Sequence, residues 1–152
     1  MDVMAEVLFY HLTESTLEEA LPALLERSLQ RGWKVVVQTG TEERRDGLDL
    51  HLWTYADESF LAHATDRSEH AAENPVILTT GEVNPNAATI RFLVDGATPP
   101  DLSAYERGVF MFDGHDPEQL DHARAQWKAQ KAAGHDLTYW QQTPERRWVK
   151  KA

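Results

Sequence analysis

Short apolar runs alternate along the chain with longer amphipathic segments. The apolar runs predict β-strands at 6–12, 34–39, 75–79, 89–94 and 108–112, followed by two short strands at 137–142 and 147–150. The amphipathic segments predict three helices, which cover roughly 17–31, 41–53 and 117–133. Residues 54–74 show neither pattern, so we expect a long connection there with one short helical turn.

This alternation of strands and helices predicts an α/β fold with a mainly parallel sheet and helices on both faces. The uninterrupted run Val35-Val36-Val37 suits the middle of such a sheet, where both faces of a strand are buried. We expect the last two strands to be antiparallel additions at an edge. A length of 152 residues predicts a single α/β domain over 1–152.

Local signals fix the helix boundaries. Ser15 to Glu18 resembles a capping box at the start of the first helix, and Gly32 is expected to end that helix. Pro22 lies inside its apolar pattern, so we expect a kink or a later start. Pro117 suits the first turn of the last helix, and Gly134 suits its end.

Composition excludes several classes of site. The chain has no cysteine, and therefore no disulfide, thiolate metal ligand or cysteine nucleophile. No stretch approaches 18 apolar residues, and the first residues are acidic rather than apolar. We therefore expect a cytoplasmic protein without membrane contact.

Charge is distributed unevenly along the chain, whose formal net charge is −10. Residues 1–119 have a net charge of −14, whereas residues 120–152 have +4 and include three of the five tryptophans. A basic, aromatic segment on an acidic protein is poorly suited to duplex DNA, because the remaining surface repels phosphates. It suits one short acidic ligand, although direct binding of single-stranded nucleic acid by the aromatic side chains is an alternative.

A helical wheel of the last helix suggests where that ligand would bind. At about 100° per residue, four alanines form one stripe, which we expect to pack on the sheet. These are Ala125, Ala129, Ala132 and Ala133. A second side holds Arg124, Trp127, Lys128 and Lys131, so we expect Trp127 on the solvent side among cations. The alternative is that Trp127 packs beneath the C-terminal segment and the lysines are simply solvated.

Signals for catalysis or a cofactor are weak. The first strand-to-helix turn, residues 11–15, has no glycine and includes Glu14, which disfavours a bound pyrophosphate. The turn at 39–43 has one glycine and two carboxylates. No GxSxG or HExxH motif is present. We therefore expect no cofactor, no metal site and no catalytic residues; the alternative is a small α/β enzyme that binds a nucleotide-type cofactor.

Several short motifs, in order along nearly the whole chain, resemble the chi subunit family of bacterial DNA polymerase III. They are Phe9-Tyr10, Leu48-Asp49, Leu52-Trp53, Ser59-Phe60-Leu61-Ala62-His63, Pro75-Val76, Ala123-Arg124, Trp127-Lys128, Gly134 and Trp148. Each motif is weakly specific, whereas their order and spacing together are fairly specific.

The resemblance implies a Rossmann-like fold without the phosphate loop and a non-catalytic adaptor in the clamp-loader assembly. It implies that Arg124, Trp127 and Lys128 bind the acidic C-terminal tail of the single-stranded-DNA-binding protein. We expect Lys131, on the same side of the helical wheel, to add positive charge to that site. It implies that Trp53 and Phe60 bind the psi subunit or another clamp-loader component; the alternative is that both are core aromatics.

Two positions depart from the family pattern. Ala62 replaces the proline of SFxPH, which affects the expected shape of that loop. Leu120 replaces a basic residue that some members have one turn before Arg124, so the predicted tail site is less charged.

Overall fold

The computed structural model describes residues 4–54 and 62–152. Its strands are β1 Glu6–Leu12, β2 Val35–Gln38, β3 His63–Thr65, β4 Val76–Thr79, β5 Ile90–Leu93, β6 Arg107–Asp113, β7 Asp136–Gln142 and β8 Trp148–Lys150. Its helices are α1 Leu17–Gln30, α2 Glu42–Thr54 and α3 Pro117–Ala132, with short 3₁₀ turns at Ala71–Glu73 and Leu102–Ala104. Within the described residues, no helix is long and apolar enough to cross a membrane.

The strands form one sheet in the order β3-β4-β2-β5-β6-β1-β7-β8. Strands β1 to β7 pair in parallel, and β8 pairs antiparallel with β7. The predicted α/β fold with a mainly parallel sheet is confirmed. The prediction for β7 was wrong, because β7 runs parallel to β1 instead of antiparallel.

A second difference lies in the predicted connection at 54–74. Residues His63 to Thr65 form β3, which pairs in parallel with β4 at the edge of the sheet. An edge strand pairs on one side and can be short, so three residues without an apolar run give no strand pattern. The remaining part of that connection, 55–61, lies outside the described residues.

Helices cover both faces of the sheet, as predicted. Leucines of α1 and α2, including Leu21, Leu25, Leu48 and Leu52, pack on one face in a core with Val37. On the other face, α3 contributes Ala123, Leu120 and Trp127 to a second core. The two cores alternate along each strand because successive side chains point to opposite faces.

Helix α1 tolerates a proline because another side chain replaces the missing backbone donor. The capping box is shifted by one residue from the prediction, with Thr16 at the N-cap and Glu19 at N3. Pro22 has no N–H to donate to the carbonyl of Glu18, four residues earlier. His51 Nε2 of α2 instead donates to that carbonyl at 2.7 Å. The helix therefore runs through Pro22 and is tied to α2 at this point.

One charged side chain of the sheet is buried in the protein core. Arg91 of β5 is fully buried. Its guanidinium donates to Gln38 Oε1 at 2.7 Å, to the Gly81 carbonyl at 2.6 Å and to the Tyr105 hydroxyl at 3.0 Å. These acceptors replace water around the buried charge, so Arg91 fastens the β4–β5 connection to the sheet.

Candidate functional site

A groove of about 480 Å³ lies between α3 and the strands β6, β1 and β7. Strand residues His11, Phe112 and Tyr139 form one wall, and the α3 residues form the other. The α3 residues are Leu120, Ala123, Arg124, Trp127 and Lys128, with Ala152 completing the lining. Three of the four α3 residues predicted as a ligand site therefore line one groove.

Aromatic rings build the inner end of this groove. The Trp127 ring meets Phe9 edge-on, with centroids 5.3 Å apart, and meets Tyr139 edge-on at 5.9 Å. Phe9 in turn stacks on Phe110 at 4.7 Å, with the two rings nearly parallel. Because these contacts join α3 to three strands, the position of Trp127 is fixed before any ligand binds.

The predicted orientation of α3 was wrong. Trp127 is half-buried and packs on the sheet, whereas the alanine stripe faces solvent. The helix packs through Leu120, Ala123 and Trp127, at i, i+3 and i+7. Burial of one tryptophan and one leucine removes more apolar area from water than burial of the alanines would, so the larger side chains decide which side packs. The alternative placed Trp127 beneath the C-terminal segment; Trp127 does pack, with ring contacts to Phe9 of β1 and Tyr139 of β7.

Cations line the outer edge of the groove. The Arg124 side chain is 75% exposed, and its nearest carboxylate is Asp121 Oδ1 at 3.5 Å. Lys128, one turn later, is exposed and also lines the groove. Lys131 is exposed on the last turn of α3 but does not line the groove. The groove thus combines an apolar interior with a guanidinium and an ammonium that remain hydrated.

A histidine–tyrosine pair lies on the strand side. His11 Nδ1 and the Tyr139 hydroxyl are 2.8 Å apart, and the His11 ring packs against Phe112. Burial lowers the pKa of His11, and the positive charges of His115 and Arg124 lower it further. Burial raises the pKa of Tyr139. Both shifts favour neutral groups, so this wall presents a polar but uncharged hydrogen-bonding pair.

The second predicted partner site is described in part. Trp53, near the end of α2, is 51% exposed, and its ring lies 4.4 Å from the His63 ring. Leu50, three residues earlier, is 67% exposed. Phe60 lies outside the described residues. Two neighbouring exposed apolar side chains on one helix are inconsistent with Trp53 as a core residue, and Leu50 was missed by the sequence analysis.

The first strand-to-helix turn is filled by a side chain from β7. Gln142 Oε1 accepts hydrogen bonds from three successive backbone amides, those of Thr13, Glu14 and Ser15, at 3.3, 3.1 and 3.0 Å. Gln142 Nε2 donates to Ser15 Oγ at 3.0 Å. In nucleotide-binding folds the amides of this turn hold phosphate oxygens. Here a neutral amide oxygen occupies that position.

No group of three or more histidine and acidic side chains among the described residues could hold a metal ion.

The amino-acid sequence matches the family described as DNA polymerase III chi subunit, HolC, over residues 4–138. The chain belongs to this family. A relative described as probable DNA polymerase III subunit chi, from Rickettsia prowazekii (strain Madrid E), is 25% identical over 100 residues. That match covers 66% of this chain and 59% of the relative.

The fold can also be compared with solved structures. The C-terminal domain of the DEAD-box protein Dbp5 matches 91% of each chain, with a TM-score of 0.47 and 13% identity. The chi family match covers the motifs of the predicted sites, from Phe9-Tyr10 through Trp127-Lys128, whereas Trp148 lies beyond it.

The strand wall of the groove, including its histidine–tyrosine pair, was not predicted from the sequence. His11 lies on β1 and Tyr139 lies on the adjacent strand β7. The two side chains come together only because β1 pairs in parallel with β7. The strand prediction placed β7 antiparallel at an edge and did not predict that β7 pairs with β1. Leu120, noted as a lost positive charge, proves to be part of the apolar wall.

Proposed function

We propose that this chi family member is a non-catalytic adaptor that joins the clamp-loader assembly of DNA polymerase III to the single-stranded-DNA-binding protein. The groove on α3 would hold the acidic C-terminal tail of that protein. The main support is the combination of an apolar groove with the exposed cations Arg124 and Lys128 on a protein whose net charge is −10.

The groove offers a separate partner for each feature of such a tail. The tail expected in bacteria is acidic and ends in an aromatic residue with a free carboxylate. The ring would enter the space bounded by Trp127, Tyr139 and Phe112. Arg124, which is free to turn because it is largely exposed, would form two parallel hydrogen bonds to the carboxylate. Lys128 and Lys131 would attract the preceding acidic side chains.

These contacts predict weak binding. Exposed ion pairs contribute about 0–1 kcal/mol each, so most of the affinity comes from the ring and the forked carboxylate contact. We expect a dissociation constant on the order of micromolar. Because the cations are exposed, affinity should fall as salt rises, with screening over about 10 Å at 0.1 M.

Calorimetry with a synthetic tail peptide tests the proposal. Arg124→Ala should weaken binding more than Lys131→Ala, because only Arg124 lines the groove. Arg67→Ala is the matched control, since Arg67 is an exposed arginine in the loop after β3. A peptide that lacks its terminal aromatic residue should bind much more weakly. Equal binding of the full and shortened peptides, or normal binding by Arg124→Ala, would place the tail elsewhere.

A second surface would hold psi or another clamp-loader component. Leu50 and Trp53 present apolar area on α2, and interface aromatics often contribute about 2 kcal/mol or more to binding. Trp53→Ala and Leu50→Ala should remain folded but fail to co-purify with clamp-loader subunits. Phe60→Ala extends the same test to the other predicted residue.

Leu52→Ala is the matched control for α2, because Leu52 is buried in the core. It should lower the free energy of unfolding by about 2–5 kcal/mol instead. If Trp53→Ala destabilises the protein as strongly as Leu52→Ala does, Trp53 is a packing residue and the partner surface lies elsewhere.

The enzyme alternative makes a different prediction at the first strand-to-helix turn. A nucleotide cofactor held there would need the amides that Gln142 already occupies. Titration with ATP should therefore leave the NMR signals of the Thr13, Glu14 and Ser15 amides unchanged. Saturable movement of all three signals would favour the enzyme alternative over the adaptor.

A further inference from the structure

A second group of cations lies on the opposite face of the sheet from the groove. Trp33 precedes β2, and two guanidinium groups lie over its ring: Arg31 Cζ at 5.1 Å and Arg107 Cζ at 5.0 Å from the centroid. Arg31 follows α1, whereas Arg107 begins β6. These two arginines come from distant parts of the chain, and Lys34 is exposed beside Trp33.

A small cavity of about 90 Å³ opens within this group. Arg27, Arg31 and Arg107 all line it, together with Tyr10 and Trp33. Among the described residues that line the cavity, none is acidic. Three guanidinium groups around one space repel one another, so the arrangement favours an anion between them.

Arg107 has one buried hydrogen-bond donor without an acceptor among the described residues. Its Nη2 donates to Glu6 Oε2 at 3.1 Å, which neutralises part of its charge. Its Nε is buried and has no hydrogen-bond partner in the described part of the chain. A buried donor without an acceptor costs about 1–3 kcal/mol, and Glu6 leaves this donor of the guanidinium unpaired.

Tyr10 adds a hydroxyl to the same cavity. Its ring packs edge-on against Trp148 at 4.9 Å, which holds the side chain in place. Burial raises the pKa of Tyr10, while Arg107, Arg27 and Arg31 act in the opposite direction. The hydroxyl therefore remains protonated at neutral pH and can donate to an anion.

The dipole of α1 accounts for only part of this arrangement. Arg27 lies in the last turn of α1 and Arg31 is its C-cap, where positive charges interact favourably with the helix C-terminus. That effect does not require Arg107, which comes from a different element, or an open space between the three side chains.

We propose that this cavity binds the phosphate group of a phosphomonoester. A cavity of about 90 Å³ is large enough to hold a small ligand such as one tetrahedral oxyanion. A phosphomonoester has a charge of about −1.5 to −2 at pH 7. That charge balances three guanidinium groups, one of them paired with Glu6, better than the single charge of a carboxylate does.

NMR titration with inorganic phosphate tests this site. The signals of the Trp33 indole N–H and the Arg107 Nε–H should move and saturate, while sodium chloride of equal ionic strength and sodium acetate leave them in place. Arg31→Gln and Arg107→Lys should each raise the dissociation constant about tenfold, the effect of one lost charge-assisted hydrogen bond. Arg107→Lys keeps the charge opposite Glu6, so its amide spectrum should remain that of the folded protein. Arg67→Gln, an equal change of charge on another loop, should bind normally.

Three further ligands distinguish the sources of the phosphate: adenosine monophosphate, a short oligonucleotide with a 5′ phosphate, and the same oligonucleotide with a 5′ hydroxyl. The proposal expects the first two to compete with inorganic phosphate and the third to have no effect. It is overturned if phosphate causes no saturable movement, if acetate binds equally well, or if both oligonucleotides bind alike. None of these results depends on the α3 groove, so a negative result at this site does not refute the proposed tail site, and a negative result there does not refute this one.

Discussion

Replacement of Gln142 tests whether its side chain holds the first strand-to-helix turn closed. Gln142 is 6% exposed, and its Oε1 is the acceptor for the amides of Thr13, Glu14 and Ser15. Its main-chain carbonyl accepts from Thr13 Oγ1 at 3.1 Å and would be retained in any variant. Gln142→Ala removes the shared acceptor and leaves three amides without it.

The expected loss in the free energy of unfolding follows from these hydrogen bonds. A net hydrogen bond contributes about 0.5–1.5 kcal/mol, and the bond at 3.3 Å is the weakest of the three. The turn is part-buried, so water can replace some of the lost contacts. We therefore expect Gln142→Ala to lower the free energy of unfolding by about 2–3 kcal/mol. For a chain of this size that corresponds to a fall in Tm of roughly 4–12 °C.

Gln142→Glu is the matched variant, because it keeps an acceptor of the same length. Its carboxylate can accept all three amides and the Ser15 hydroxyl proton, so the loss should stay below about 1 kcal/mol at pH 7. Urea unfolding of the two variants and the original protein gives the comparison. The reasoning fails if Gln142→Ala unfolds within ~0.5 kcal/mol of the original protein, or if the Ala and Glu variants lose equal stability.

Three further predictions concern the groove. Trp127→Ala should lower the free energy of unfolding by about 2–3 kcal/mol, since the ring is half-buried, whereas Arg124→Ala should change it by less than ~0.5 kcal/mol; urea unfolding compares them. Gly114→Ala should displace the His11 ring and the Leu12 carbonyl, both of which a Cβ would strike, so we expect weaker binding of the tail peptide in calorimetry together with a loss of stability in urea unfolding. Because burial lowers the pKa of folded His11 from about 6.5, its contribution to stability should be present above that pH and be lost as pH falls through the folded value. NMR titration of the ring should give a midpoint below 6.5, and His11→Gln should reduce this pH dependence.

The fold was predictable where the pattern is local. Apolar runs such as Val35 to Val37 and the helix signals around Thr16 and Gly134 lie within a few residues of the elements they specify. Strand β3 was missed because an edge strand of three residues has no pattern of its own. The direction of β7 was missed because it depends on α3 crossing back over the sheet, which is a tertiary feature.

Part of the groove lining was named from the sequence, whereas the geometry of the groove was not predicted. Arg124, Trp127 and Lys128 were identified from charge, aromaticity and family motifs, and the structure places them along one groove. The predicted orientation of α3 was wrong because the helical wheel assigned the four alanines to the packed side instead of Leu120, Ala123 and Trp127. The spacing of those three residues was available in the sequence and predicts the packed side correctly.

The positions of the two proposed partner surfaces suit an adaptor. Helix α2, with Leu50 and Trp53, packs on the face of β3 and β4, whereas the groove lies on the other face beside β6, β1 and β7. Four strand spacings separate β4 from β1 in the sheet, which is about 19 Å at ~4.8 Å each. A close-packed sheet between two such surfaces keeps their ligands apart, so a tail in the groove leaves α2 open to a second protein. If both proposed surfaces bind their partners, the fold allows both to be held at once, and competition between them would require a surface other than those described above.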